Sequence, residues 1–171
     1  LALLLAGLLG GPHQASASAP EANADARFKQ SFGDTFLEAY WRLNTDLAVD
    51  LGYYQVAPVL IVPDARSRTV YLRFLDRWIA RLHAFHPAAL DDADRTDYAV
   101  LDNQLASERW GLLSLREWQW NPATYNVADP FAKLLDTGYA PLEQRLRSVL
   151  KRLQNVPAYY QAAERNIRNP T

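Results

Sequence analysis

The sequence predicts an all-α fold, a bundle of about five to seven mostly antiparallel amphipathic helices joined by short loops. Three observations predict it. Apolar residues recur at steps of three and four along most of the chain, and sustained strand-like alternation is missing. Pro, Gly and Asn or Asp beside Pro punctuate these runs where helices start and stop. The composition, 49% hydrophobic and 22% charged over 171 residues, is that of one globular domain with a single core.

Residues 1–17 read as a secretory signal peptide. Nine nearly unbroken apolar residues, "LALLLAGLL", precede a Gly-Gly-Pro break and small residues in the A-x-A pattern read by signal peptidases, with Ala15-Ser16-Ala17 as the cleavage frame. Nine helical residues rise only about 14 Å, too short for a hydrocarbon core of roughly 30 Å, so no stable transmembrane anchor is expected. The charged n-region and initiator Met are missing, which reads as truncation at this end. Cysteine is absent, which fits a bacterial periplasm where a full-sized core needs no disulfides.

Residues 18–26 read as a polar linker, and 27–171 as the helical part. Phe28, Phe32, Phe36, Tyr40, Leu43, Leu47 and Leu51 form one stripe, with Asn44-Thr45 as a candidate break and a stop at Gly52. The run Val59–Val62 is the only strand-like stretch; Pro58 and Pro63 make it an extended connector. Asp64 caps the next helix, whose buried face is Tyr71, Phe74, Leu75, Trp78, Leu82 and Phe85, and Pro87 ends it. Asp91, Asp92 and Asp94 sit where a helix N-terminus favours negative charge, and Tyr98, Leu101, Leu105 and Leu112 continue the buried face. Asp129-Pro130 opens a short helix that Gly138 closes. After Pro141, Leu142, Leu146, Val149, Leu150 and Leu153 form an apolar stripe, with Arg145, Arg147, Lys151 and Arg152 as a solvated face. Tyr160, Ala163 and Ile167 carry the last helix to Pro170.

Lys and Arg number 18 against 19 Asp and Glu, so no overall field favours nucleic acid or an anionic membrane. Six acids and one Arg between Asp91 and Glu108, and six cations against two acids after Pro141, mark helices that pair or face solvent. No zinc-ligand pattern is present. His83 and His86 lack the acid of H-E-x-x-H and stand at a helix end, where imidazoles help cap carbonyls. No nucleophile elbow, Cys or phosphate-binding glycine loop occurs outside the leader, and surface acids such as Asp97 and Asp102 read as solvated. Trp118, Trp120 and Tyr125, around Asn121-Pro122, staple a loop onto the bundle or present a stacking platform for a sugar or peptide. Catalytic and metal-binding residues are therefore expected to be absent from this chain.

Several ordered stretches carry a resemblance: "FLEAYWRLNTDLAVDLG" (36–52), "RTDYAVLDNQLASERW" (95–110), "WNPATYN" (120–126) and "APLEQRLRSVLKRLQNVPAYYQAAERNI" (140–167) with its closing Asn-Pro. Together they resemble the N-terminal region of the bacterial domain-of-unknown-function family 885, whose members look like exported or lipid-anchored gluzincin-type zinc metallopeptidases. Thr45 departs from the family's tendency to have Pro after Asn. The family's zinc element lies far downstream of the stretches matched, so no metal ligand or catalytic acid transfers to any residue here. The resemblance implies an N-terminal fragment of a larger helical peptidase-like fold, inactive alone, forming a wall or lid of a cleft for a peptide-like substrate. Its missing C-terminal catalytic part would hold the zinc. Asp97, Trp120 and Tyr125 are the candidate substrate-binding residues. The alternative is a self-contained periplasmic helical module that binds a peptide or partner.

Overall fold

In the computed structural model, which describes residues 19–168, the element order is α-helical throughout with no strand among those residues. The predicted signal peptide lies outside them. Helix α1 (Ala19–Lys29) passes through a π-helical turn at Gln30–Thr35 directly into α2 (Phe36–Leu43), so the three make one rod. The stretch expected as a linker is thus helical from Ala19. Its four alanines favour helix, and Pro20 is tolerated in a first turn. Side chains four apart drift by roughly 40° per step on a 3.6-residue helix. The wider π turn takes up that drift, and Phe28, Phe32, Phe36 and Tyr40 stay on one face with successive rings in contact.

Helix α4 (Ala65–Leu82) starts at Asp64, which accepts from the Ser67 amide at 2.8 Å, as a capping carboxylate should. It runs antiparallel to the rod: Phe28 meets Phe85, Phe32 and Phe36 meet Trp78, and Tyr40 meets Phe74. Helix α5 (Asp92–Trp110) returns antiparallel to α4, pairing Tyr71 with Glu108 and His83 with Asp102. Asp91 caps it by accepting from the Asp94 amide at 2.8 Å. These elements enclose the main core, in which Leu75, Leu82 and Leu105 are fully buried.

A second layer begins at Asn44, whose non-helical backbone breaks the stripe before α3 (Thr45–Asp50), and Gly52 takes the positive φ of +90° that ends it. The connector after Pro58 has no regular secondary structure and buries Leu60. Helix α6 (Ala128–Asp136) starts two residues before Pro130, with Asn126 accepting from the Ala128 amide at 3.0 Å. Helices α7 (Leu142–Leu153) and α8 (Val156–Asn166) complete the layer. Val49, Ala57, Leu134 and Val149 form one small core; Leu60, Tyr125, Tyr159 and Ala163 form another.

Helix α7 follows the expected faces only in part: Val149 is buried as read, but Arg152 and the leucines exchange places. Arg152, read as solvated, has 0% exposure, while Leu142, Leu146, Leu150 and Leu153 are 48% to 58% exposed. The face that docks is Ser148, Val149 and Arg152. It is selected by partners: Arg152 Nε donates to the Ala57 carbonyl at 2.7 Å and Nη1 to Asp46 Oδ1 at 2.5 Å. A charge-assisted bond to a buried carbonyl supplies what burial of the guanidinium costs. Arg147 and Lys151 do face solvent.

Candidate functional site

The aromatic loop between α5 and α6 is held from three directions. Trp118 Nε1 donates to the Leu112 carbonyl at 3.3 Å, Trp120 Nε1 to the Leu115 carbonyl at 3.0 Å, and Tyr125 Oη to the Trp118 carbonyl at 2.5 Å. Asn166 on α8 donates to Tyr125 Oη at 3.1 Å and to the Pro63 carbonyl at 2.6 Å. Arg68 on α4 reaches Asn166 Oδ1 at 3.0 Å and lies over the Trp118 ring at 3.9 Å. The network explains why buried Asn166 is affordable: its amide is satisfied on both sides. The stapling reading of these aromatics therefore describes their contacts.

Tyr125 is buried, yet with Pro122, Tyr160, Ala163 and Ile167 it lines an open, mostly apolar cleft of about 540 Å³. Burial pushes the Tyr125 hydroxyl above its ordinary value, and that of Tyr159 up to about 12. Trp120 belongs to the same loop but does not line this cleft. Asp97 is elsewhere, exposed on α5 beside Phe28, Lys29 and Leu101. The three candidate residues are thus not brought together: Trp120 and Tyr125 share a loop, and Asp97 stands apart.

A second arrangement escaped the sequence reading. Glu108, near the end of α5, accepts from Tyr40 Oη at 2.5 Å and Gln104 Nε2 at 2.6 Å through one oxygen, and from Tyr71 Oη through the other. Burial, then the bond to Glu108, pushes the Tyr40 hydroxyl up to about 12 and Tyr71 higher still. Tyr40 and Tyr71 fell on stripes read as core, and Glu108 was one acid of an acidic helix. The i, i+4 pair Gln104 and Glu108 was the available signal.

His83 does not cap a carbonyl: its Nε2 meets Asp102 at 2.7 Å. Asp25, Asp91 and Asp94 bring carboxylate oxygens within 4.8 Å of one another, but Lys29 Nζ stands 3.2 Å from Asp94 and 3.6 Å from Asp91. The bond to Asp94 raises the Lys29 pKa, so its ammonium already serves as the cation there. The zinc that the resemblance implies does not fit the described residues. Their only three-ligand cluster is all-oxygen, has no histidine and already holds a lysine.

Residues 46–171 match the family described as bacterial protein of unknown function (DUF885). The chain belongs to the DUF885 family. It is also similar to a solved structure from Shewanella oneidensis described as a "putative lipoprotein of unknown function", at 39% identity and a TM-score of 0.81. That similarity covers 84% of this chain and 26% of the other, so the chain spans about a quarter of that relative's length. No curated protein matches the chain significantly. No described helix is long and apolar enough to cross a membrane.

Proposed function

We propose that this chain is the N-terminal helical wall of the substrate cleft in an exported, zinc-dependent peptidase-like protein, whose metal-binding residues lie outside it. The observation that carries the reading is the face of α7. Four leucines about half exposed on one helix form a surface that a finished domain would cover. Burying their exposed halves would contribute about 3–5 kcal/mol, a sizeable fraction of the roughly 5–15 kcal/mol that stabilises a whole domain. The chain's match to only 26% of a longer relative supports a covering partner within one polypeptide.

The apolar cleft at Tyr125 and Tyr160 is the surface offered to a peptide-like substrate, and its aromatic walls would exclude water from the bound chain. The gluzincin character rests on the resemblance of the ordered stretches. Export, with the periplasm as the destination, rests on the leader-like residues 1–17 and on the description of the Shewanella relative.

The test is to assay the full-length protein and residues 1–171 for bound zinc and for hydrolysis of a peptide mixture. Zinc and hydrolysis are expected in the full-length protein only. In that protein, Tyr160→Ala and Tyr125→Ala, both in the lining of the cleft, should raise KM. Unchanged kcat and KM in both variants would refute the wall, and stoichiometric tight zinc binding by residues 1–171 would refute the placement of the metal.

A further inference from the structure

The cleft beside Glu108 holds two carboxylates, Glu108 and Glu117, and has a volume of about 410 Å³. No Lys, Arg or His lines it. All 18 Lys and Arg of the chain fall among the described residues, and none forms an ion pair with Glu108 or Glu117. The contrast with other acids is direct. Asp46 pairs with Arg152, Asp94 with Lys29, and Asp76 takes Arg109, the cation adjacent to Glu108 in sequence.

Glu108 is instead oriented by neutral donors, Tyr40, Tyr71 and Gln104, which hold its position and leave its charge uncompensated. Glu117 is likewise held by a neutral group, Asn121 Nδ2 at 2.6 Å. A half-buried carboxylate with no counter-ion is costly, and a preoriented one is ready to receive a cation without rearrangement. Leu47, Leu112 and Leu115 supply aliphatic wall to the same cleft, and Trp118 an aromatic one. That combination suits a methylene stem ending in a charged head.

We infer that the cleft between Glu108 and Glu117 binds an aliphatic ammonium group, of the kind carried by a lysine side chain or a peptide N-terminus. The inference does not depend on the peptidase reading, because every group it uses belongs to this chain.

The experiment is calorimetric titration of the full-length protein, treated with a chelator, using three probes: N-acetyl-lysine amide, leucinamide and the uncharged N-acetyl-norleucine amide. At least one ammonium probe should bind about tenfold more tightly than the norleucine compound. The tighter of the two identifies the source as a side chain or a chain terminus. Glu108→Gln, with folding checked by circular dichroism, should weaken that binding about tenfold. Glu117→Gln, in the lining of the same cleft, should weaken it also and decides the matter if the first variant does not fold. Equal binding of charged and uncharged probes, no binding of either ammonium probe, or affinities within twofold of wild type in the folded variants would overturn the assignment. Since the chelator removes zinc, binding that survives it separates this site from any failure of the peptidase reading.

Discussion

Arg152→Ala is the substitution on which the two readings of α7 differ most. If Arg152 belonged to a solvated face, its removal would change stability by no more than about 0.5 kcal/mol. The structure gives a different figure. Truncation strips the Ala57 carbonyl of its donor, 2.7 Å away in a buried position, at about 1–3 kcal/mol. It also removes the packed aliphatic stem, about 1–2 kcal/mol. Asp46 loses its partner but is 41% exposed and rehydrates, so its share is small. The sum, about 2–5 kcal/mol, overlaps the range for breaking a buried pair. Urea unfolding followed by circular dichroism would show the midpoint falling by about 1–2.5 M for a slope near 2 kcal/mol/M. Arg147→Ala, on the exposed side of the same helix, is the control and should move it very little. Equal shifts in the two variants would refute the reasoning.

Other consequences follow from the tyrosines and the loop. Tyr40, Tyr71 and Tyr159 have hydroxyl pKa values raised above the unfolded value of about 10, so the unfolded chain loses those protons first. Their contribution is complete below pH of about 10 and is lost as pH rises toward 12; denaturation midpoints that hold steady over that window would contradict it. Tyr125→Phe leaves the Trp118 carbonyl without its donor and should cost about 1–2 kcal/mol, measured by thermal or urea unfolding. Asp91 is held below the usual carboxylate range by the Asp94 amide, so its capping contribution is present above the unfolded pKa of about 3.9 and fades as pH falls below it. Asp91→Asn should flatten the acid limb of the stability profile.

The helices and the main core were legible because their signals are local. The four-residue march of Phe28, Phe32, Phe36 and Tyr40, the caps at Asp64 and Asp91, and the stop at Gly52 depend on neighbours within a turn or two. The π turn was not legible as such, although the same four-residue spacing required it. On α7 the pattern marked two faces but not which of them docks. That choice depends on the Ala57 carbonyl and Asp46, about a hundred residues away, so a cation became core and a leucine stripe became surface. The Glu108 arrangement was hidden for a related reason. Its tyrosines sit at core spacing, and only packing of α2, α4 and α5 turns their hydroxyls onto one carboxylate. Asp97 stands apart from the aromatic loop because it lies in the first half of α5, whereas that loop begins beyond the helix's end.

The central claim, that α7 is covered by further chain in the intact protein, is open to direct measurement because residues 1–171 contain no Cys. Leu150→Cys, at a position 58% exposed here, can be placed both in residues 1–171 and in the full-length protein and labelled with a maleimide, with peptide-level mass readout. The account predicts labelling at least about tenfold slower in the full-length protein, while a control cysteine at exposed Arg147 reacts alike in both. Equal rates at position 150 would contradict it.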